Sequence, residues 1–197
     1  MIAVLDYGAG NVGSVLKAVR YLGYAAEAIS EPDELARASK LILPGQGHFG
    51  AMMKRLRERG ILAPLTQAIT DGRPFLGICL GLQVMFESSE EAPEESGLGL
   101  FAGPVRRFEG VFKVPHVGWS QLEIKRAGGI LRGIPNGSFA YFCHSYYAPV
   151  TPHTTAFTEY GQTFSSVIEK GTVATVQFHP EKSADVGLQV LRNFLEG

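Results

Sequence analysis

Ile2-Ala3-Val4-Leu5 is an unbroken apolar run closed by Asp6 and glycines, the pattern of a strand buried on both faces, as parallel strands are. A different rhythm follows: Val12, Val15, Leu16, Val19 and Leu22 recur at spacings of three and four, which predicts an amphipathic helix ended by Gly23. The alternation then repeats. Tyr24 to Ile29, Leu41 to Leu43 and Phe75 to Ile78 read as strands, and Met52 to Arg59 and Leu65 to Thr70 as helices, so a parallel sheet is expected. Ser88 to Ser96 is acidic and holds a proline, which predicts a solvated loop. Beyond it, Val105 to Phe108, Gln121 to Ile124, Phe139 to Tyr147, Thr155 to Thr158, Phe164 to Glu169 and Val173 to Phe178 are short runs bounded by Gly and Pro, expected as mixed or antiparallel strands. Leu188, Leu191, Phe194 and Leu195 give the last segment one apolar face, which predicts a terminal helix docked on the sheet.

The expected fold class is therefore α/β: a central mixed, mostly parallel sheet flanked by helices, with additional antiparallel strands in the second half. A chain of 197 residues with 45% hydrophobic content is expected to form a single domain, 1–197.

Composition removes several function classes. Eighteen Lys plus Arg against 19 Asp plus Glu leave a net charge of -1, so no field gathers a phosphate backbone, and no nucleic acid partner is expected. No apolar run reaches the ~18 residues of a membrane span and no basic segment precedes Met1, so the expectation is a cytoplasmic chain with no membrane partner. Cys79 and Cys143 belong to no Cys-x-x-Cys or His-Glu-x-x-His pattern, so neither a metal nor a cofactor is indicated.

Candidate chemistry begins at Gly77-Ile78-Cys79-Leu80-Gly81, where a cysteine stands between glycines at a strand-to-helix change. That is the spacing of a nucleophile elbow with sulfur in place of oxygen, because a sharp turn crowds the positions two before and two after the nucleophile. Unpaired amides at the start of the following helix favour thiolate, and the Leu80 N–H can face an oxyanion. Val173 to Phe178 ends in His179-Pro180-Glu181, where Pro180 keeps His179 out of helical geometry. Two residues apart on extended chain, Glu181 can hold the imidazole's tautomer while His179 takes and returns a proton. Pro44-Gly45-Gln46-Gly47 follows another strand, and its amides can complete an oxyanion hole at the same sheet edge. A rival motif is Gly8-Ala9-Gly10-Asn11-Val12-Gly13, which matches a dinucleotide fingerprint but is separated from its strand by Asp6-Tyr7. Cys143, inside an apolar run without flanking glycines, is expected to be a packing residue, as are His116 and His144.

Gly77 to Gln83 together with His179-Pro180-Glu181 resemble the signatures of the class I, triad-type glutamine amidotransferases. A narrower resemblance, to the glutaminase subunits of imidazole glycerol phosphate synthase, is carried by Asp6 to Asn11, Pro44 to Phe49, His116 to Trp119, Tyr141 to Tyr147 and Gln177 to Ser183. The resemblance implies a Cys79–His179–Glu181 triad, an oxyanion hole from the backbone of Gly45, Gln46, Gly47 and Leu80, and glutamine binding by Gly47, Gln83, Ser145 and Tyr146. It also implies a heterodimer with a cyclase subunit, a (β/α)8 barrel reached through Asn11, Trp119, Tyr141 and Lys182. Glutamine would supply ammonia, which the barrel would use in histidine biosynthesis. Two positions depart from the family's commoner residues, a small apolar residue at Gln46 and Asn at Ser120. A sister glutaminase of pyridoxal phosphate synthesis and a non-catalytic interaction subunit are the other readings these residues leave open.

Overall fold

A computed structural model describes residues 1–197. The first half follows the predicted alternation: β1 (Ile2–Leu5), α1 (Val12–Tyr21), β2 (Ala26–Ile29), α2 (Pro32–Leu35), β3 (Lys40–Gly45), α3 (Phe49–Glu58), α4 (Leu62–Thr70), β4 (Phe75–Cys79) and α5 (Leu80–Gln83). The second half holds β5 (Phe86–Ser89), β6 (Phe101–Arg107), β7 (His116–Gln121), β8 (Glu123–Ile124), β9 (Phe139–His144), β10 (Tyr146–Tyr147), β11 (Thr154–Tyr160), β12 (Gln162–Lys170), β13 (Val173–Val176) and α6 (Ala184–Glu196).

The main sheet runs β2-β1-β3-β4-β13-β12-β11-β8. Pairings are parallel from β2 through β13 and antiparallel from β13 outward to β8. The buried runs explain why both faces are covered: Ile2 and Val4 pack with Val15 and Val19 of α1 and Val190 and Leu191 of α6, whereas Ala3 and Leu5 pack with Met52 and Leu56 of α3 and Leu65 of α4. Strand residues alternate between two helical layers, so β1, Leu41 to Leu43 of β3 and Phe75 to Ile78 of β4 carry no polar side chain.

Three readings are corrected. Ser88 to Ser96 is not merely a solvated loop: Phe86–Ser89 is β5, Ala92 is buried, and the carboxylates accept backbone N–H groups, Glu91 from Phe49 at 2.7 Å and Glu90 from Arg107 at 2.7 Å. Phe139 to Tyr147 is not one strand, because the chain passes at Ser145 from the β7–β9 ribbon to the sheet of β10, β6 and β5. Cys143 is exposed, since Ala140, Phe142 and His144 alternate into the core and turn Phe139, Tyr141 and Cys143 outward. The first of the dinucleotide-like glycines instead makes room for a protein side chain: the Arg59 guanidinium lies against Gly8, whose carbonyl accepts from Arg55 at 2.8 Å.

Candidate active site

Three strand ends meet at one edge of the main sheet. Gly45, ending β3, is in register with Cys79, ending β4, and Val176, ending β13, is in register with Ile78. Gln177-Phe178-His179 therefore leaves the sheet alongside the sulfur.

β4 turns into α5 with no intervening residue, and the backbone of Cys79 takes the bend at φ 54°, ψ -106°. An L-residue held there stores about 1–3 kcal/mol. The glycine spacing now has a steric cause: a Cβ on Gly77 would stand 2.5 Å from the Gly81 carbonyl oxygen, and one on Gly81 would overlap the Leu43 carbonyl. Cys79→Gly is accordingly expected to be more stable than Cys79→Ala by about 1 kcal/mol or more, as only glycine relaxes at this φ. Equal urea midpoints for the two variants would show that the bend is unstrained. α5 is a single turn, so its dipole is a smaller influence on the sulfur than the helical pattern suggested. The nearby imidazole is the larger charge.

His179 Nδ1 lies 2.9 Å from Glu181 Oε1, and both side chains are almost wholly buried. The intervening chain is not extended as expected: Pro180–Lys182 forms a 3-10 turn, and Glu181 still reaches Nδ1. Burial alone would lower the imidazole's pKa, but hydrogen bonds and charge from Cys79 and Glu181 outweigh it and push it up to about 10. Glu181 Oε2 has no partner, so the carboxylate's charge is matched chiefly by the imidazole. An imidazolium beside a sulfur favours thiolate, the form that attacks a carbonyl carbon.

The His179 backbone is fixed from two sides. Its N–H donates to the Tyr141 carbonyl at 2.9 Å, and its carbonyl accepts from Ser183 Oγ at 2.7 Å, while the same Oγ accepts the Tyr141 N–H at 2.9 Å. Ser183 and Gln177, whose Nε2 lies 3.7 Å from Cys79 Sγ, were given no role by sequence reasoning. Both lie inside the Gln177 to Ser183 block.

A cavity of about 370 Å³ opens onto the sulfur. Gln46, Gly47, Cys79, Leu80, Gln83, Ser145, Tyr146 and His179 all line it, so the structure brings together eight of the ten residues expected at the catalytic, oxyanion and glutamine sites. The other two are adjacent: Gly45 pairs with Cys79, and Glu181 stands behind His179. Gln83 donates through Nε2 to the Tyr146 carbonyl at 2.8 Å and to Gln177 Oε1 at 3.2 Å. The Gln46 amide is turned away toward the Tyr7 hydroxyl at 3.4 Å. Burial raises the pKa of Tyr7 to about 12, so its hydroxyl stays protonated. Glu91 and Cys143 also line the cavity, and neither was expected there. Glu91's position depends on the Phe49 amide 42 residues away, which no local pattern reports.

The expected interface residues stand apart from the cavity. Trp119 faces Tyr141 across the β7–β9 ribbon with ring centroids 6.1 Å apart, and Lys182 Nζ lies 5.9 Å from the Tyr141 ring centre. Trp119 is 51% exposed, as is Phe139. Asn11 precedes α1 in the loop that follows β1.

His116 and His144 are buried beside the cavity, their pKa values lowered by burial to about 4 and about 3. Between those values and 6.5 the unfolded chain binds protons that the folded chain does not, so stability falls as pH drops through that window. For His144 the slope approaches about 1.4 kcal/mol per pH unit. Urea unfolding at steps from pH 7 to 4.5 checks this; a flat profile would contradict it.

The doubly covered sheet, the cysteine elbow and the His–Glu pair together define a class I glutamine amidotransferase, and residues 3–197 match the family model described as "Glutamine amidotransferase class-I". A solved glutamine amidotransferase structure superposes with a TM-score of 0.78 at 22% identity, covering 99% of this chain and 97% of that one. PurLQS from Thermotoga maritima superposes with a TM-score of 0.75 at 18% identity over 99% and 97%; at these identities the likeness is one of fold.

Relatives narrow the class. The imidazole glycerol phosphate synthase subunit HisH of Moorella thermoacetica is 46% identical, covering 99% of this chain and 94% of its own, and that of Chlorobium luteolum is 44% identical over the full length of both. The chain belongs to the HisH family.

Proposed function

We propose that this chain hydrolyses the side-chain amide of glutamine at Cys79 and passes the ammonia to a cyclase subunit with a (β/α)8 barrel, as the glutaminase half of an imidazole glycerol phosphate synthase. The observation that carries the reading is that Cys79 and His179 line one cavity, with Glu181 paired to the imidazole behind them. The Cys79 sulfur attacks the amide carbon, the C–N bond breaks, and the proton on His179 goes to the departing nitrogen, releasing ammonia. Water then attacks the γ-glutamyl thioester, giving a proton back to His179 as the C–S bond breaks and glutamate leaves. The Leu80 amide and the Gly45 to Gly47 backbone receive the oxyanion in both steps. Because the Gln46 amide faces Tyr7, its use as a donor requires the loop to turn.

Gly47, Gln83, Ser145 and Tyr146 form the walls that hold glutamine. Gln83 Oε1 takes no hydrogen bond from the chain and is not a buried orphan, so it is open to a substrate donor. Glu91 supplies a carboxylate for the substrate's ammonium group. Glu91→Gln is therefore expected to raise the half-saturating glutamine concentration about tenfold with little change in kcat, the scale of one charge-assisted hydrogen bond. A loss confined to kcat would remove Glu91 from substrate binding.

The barrel docks on the face that presents Trp119, Tyr141, Asn11 and Lys182. Exposed aromatic side chains suit this role because they bury much area at low entropic cost. No helix is long and apolar enough to cross a membrane, and we infer a cytoplasmic setting. The test is glutamate release by the chain alone and with the barrel subunit and its phosphoribosyl-type acceptor. Release is expected to rise on mixing, with the two chains co-eluting. A chain that ignores the barrel, or a barrel unaffected by a Trp119→Ala, Tyr141→Ala double variant, contradicts the pairing.

A further inference from the structure

Ser120, His116 and His144 form a hydrogen-bonded row between the exposed ribbon and the cavity wall. Ser120 Oγ is 2.9 Å from His116 Nε2, His116 Nδ1 is 3.2 Å from His144 Nε2, and His144 Nδ1 is 2.8 Å from the Tyr146 carbonyl oxygen. A carbonyl only accepts, so His144 carries its proton on Nδ1. In the neutral ring that buried surroundings impose, Nε2 is then an acceptor, so His116 must donate through Nδ1. His116 Nε2 is an acceptor in turn, and Ser120 donates its hydroxyl proton. One carbonyl thus fixes both tautomers and the hydroxyl's direction.

The row continues past that carbonyl. Gln83 Nε2 donates to the same Tyr146 oxygen and also to Gln177 Oε1, and Gln177 Nε2 donates to Cys79 Sγ. The Tyr146 oxygen is shared by His144 and Gln83, and Gln83 Nε2 is shared by Tyr146 and Gln177, so each link depends on its neighbours. Packing keeps the rings from turning: His116 stacks on Tyr160 at 3.9 Å, with 18° between the planes, and on Phe142 at 5.0 Å. The outer end sits beside Trp119 and opposite Ala140 on the β7–β9 ribbon.

We infer that His116 and His144, with Ser120, are positioning residues that hold the Tyr146 carbonyl and the Gln83 side chain in place to bind glutamine, coupling the exposed Trp119 ribbon to the substrate cavity. The inference rests on the glutaminase reading above. None of the three touches a reacting atom; each acts through the next. Two donors converge on the Tyr146 oxygen, and removing one frees the peptide to move. Asn can replace Ser120 in this scheme because its Nδ2 supplies the one donor that His116 Nε2 needs.

The experiment labels the full chain with 6-diazo-5-oxo-L-norleucine, which needs both the glutamine pocket and the Cys79 sulfur, and in parallel with iodoacetamide, which needs only the sulfur. Ser120→Ala is expected to raise the half-saturating concentration of the glutamine analogue about threefold, the factor matching one hydrogen bond's net worth, with the iodoacetamide rate at Cys79 unchanged. Ser120→Asn is expected to restore the wild-type value, and His116→Phe, which keeps the stack but cannot donate, to exceed the Ser120→Ala effect. The inference is overturned if Ser120→Ala saturates like wild type, if Ser120→Asn is no better than Ser120→Ala, or if both reagents slow together. Should His116→Phe not fold, the two Ser120 variants alone decide. Wild-type chain that never saturates with the analogue would instead overturn the glutaminase reading, and this inference with it.

Discussion

Cys79→Ser is expected to lower glutamine hydrolysis by about four orders of magnitude or more, the scale on which removing one member of a nucleophile–base unit acts. The site is arranged for sulfur. His179 carries its proton with a pKa pushed up to about 10, so it stabilises an anionic neighbour rather than standing as an empty base. A thiol becomes that anion at modest cost, whereas a serine hydroxyl requires a free base to remove its proton in the attacking step. Gln177 Nε2, 3.7 Å from the sulfur, adds a donor suited to the same charge. The replacement is nearly isosteric and keeps the elbow's backbone, so the unfolding midpoint should hardly move. Glutamate release over hours measures the effect, and activity within tenfold of wild type would remove Cys79 from the chemistry.

The second large effect falls on a residue with no side chain. Gly81→Ala would drive a methyl group into the Leu43 carbonyl, an atom of the β3 backbone that pairs with both β1 and β4. Because β3 sits between helical layers on both faces, neither partner can retreat without opening the core. We expect a loss of about 3 kcal/mol or more, at or beyond the upper end for overpacking, with most of the chain insoluble. Gly13→Ala, which has open space at its Cβ, is the matched control and should be nearly neutral. A Gly81→Ala chain with a wild-type urea midpoint would mean that the elbow is wider than the structure has it.

How much was legible depended on how local each signal was. β1, Leu41 to Leu43 of β3 and β4 announce themselves because burial on both faces gives them unbroken non-polar runs, and α1 because one face must be apolar. Cys79 and His179-Pro180-Glu181 stood out because the bend and the proline impose constraints within five residues. The acidic stretch misled for the converse reason. Its composition is that of solvated chain, yet Glu91 and Glu90 are held by amides of Phe49 and Arg107, partners that composition does not reveal. Cys143 lay in a run apolar enough to suggest a buried strand, but a two-stranded ribbon buries one face only, and alternation put the thiol in the cavity. The Ser183–Tyr141, Gln177–Cys79 and His116–His144 contacts join residues 28 to 98 apart in sequence, so their geometry had to come from the fold.

The central claim is that a γ-glutamyl thioester forms on Cys79, and hydroxylamine tests it directly, since this nucleophile captures acyl-enzymes in competition with water. With glutamine present, the chain in its complex should convert a rising share of product from glutamate to γ-glutamyl hydroxamate as hydroxylamine is raised, and Cys79→Ala should form none. Hydroxamate production that survives in Cys79→Ala, or glutamate release that hydroxylamine never diverts, would contradict covalent catalysis at this sulfur.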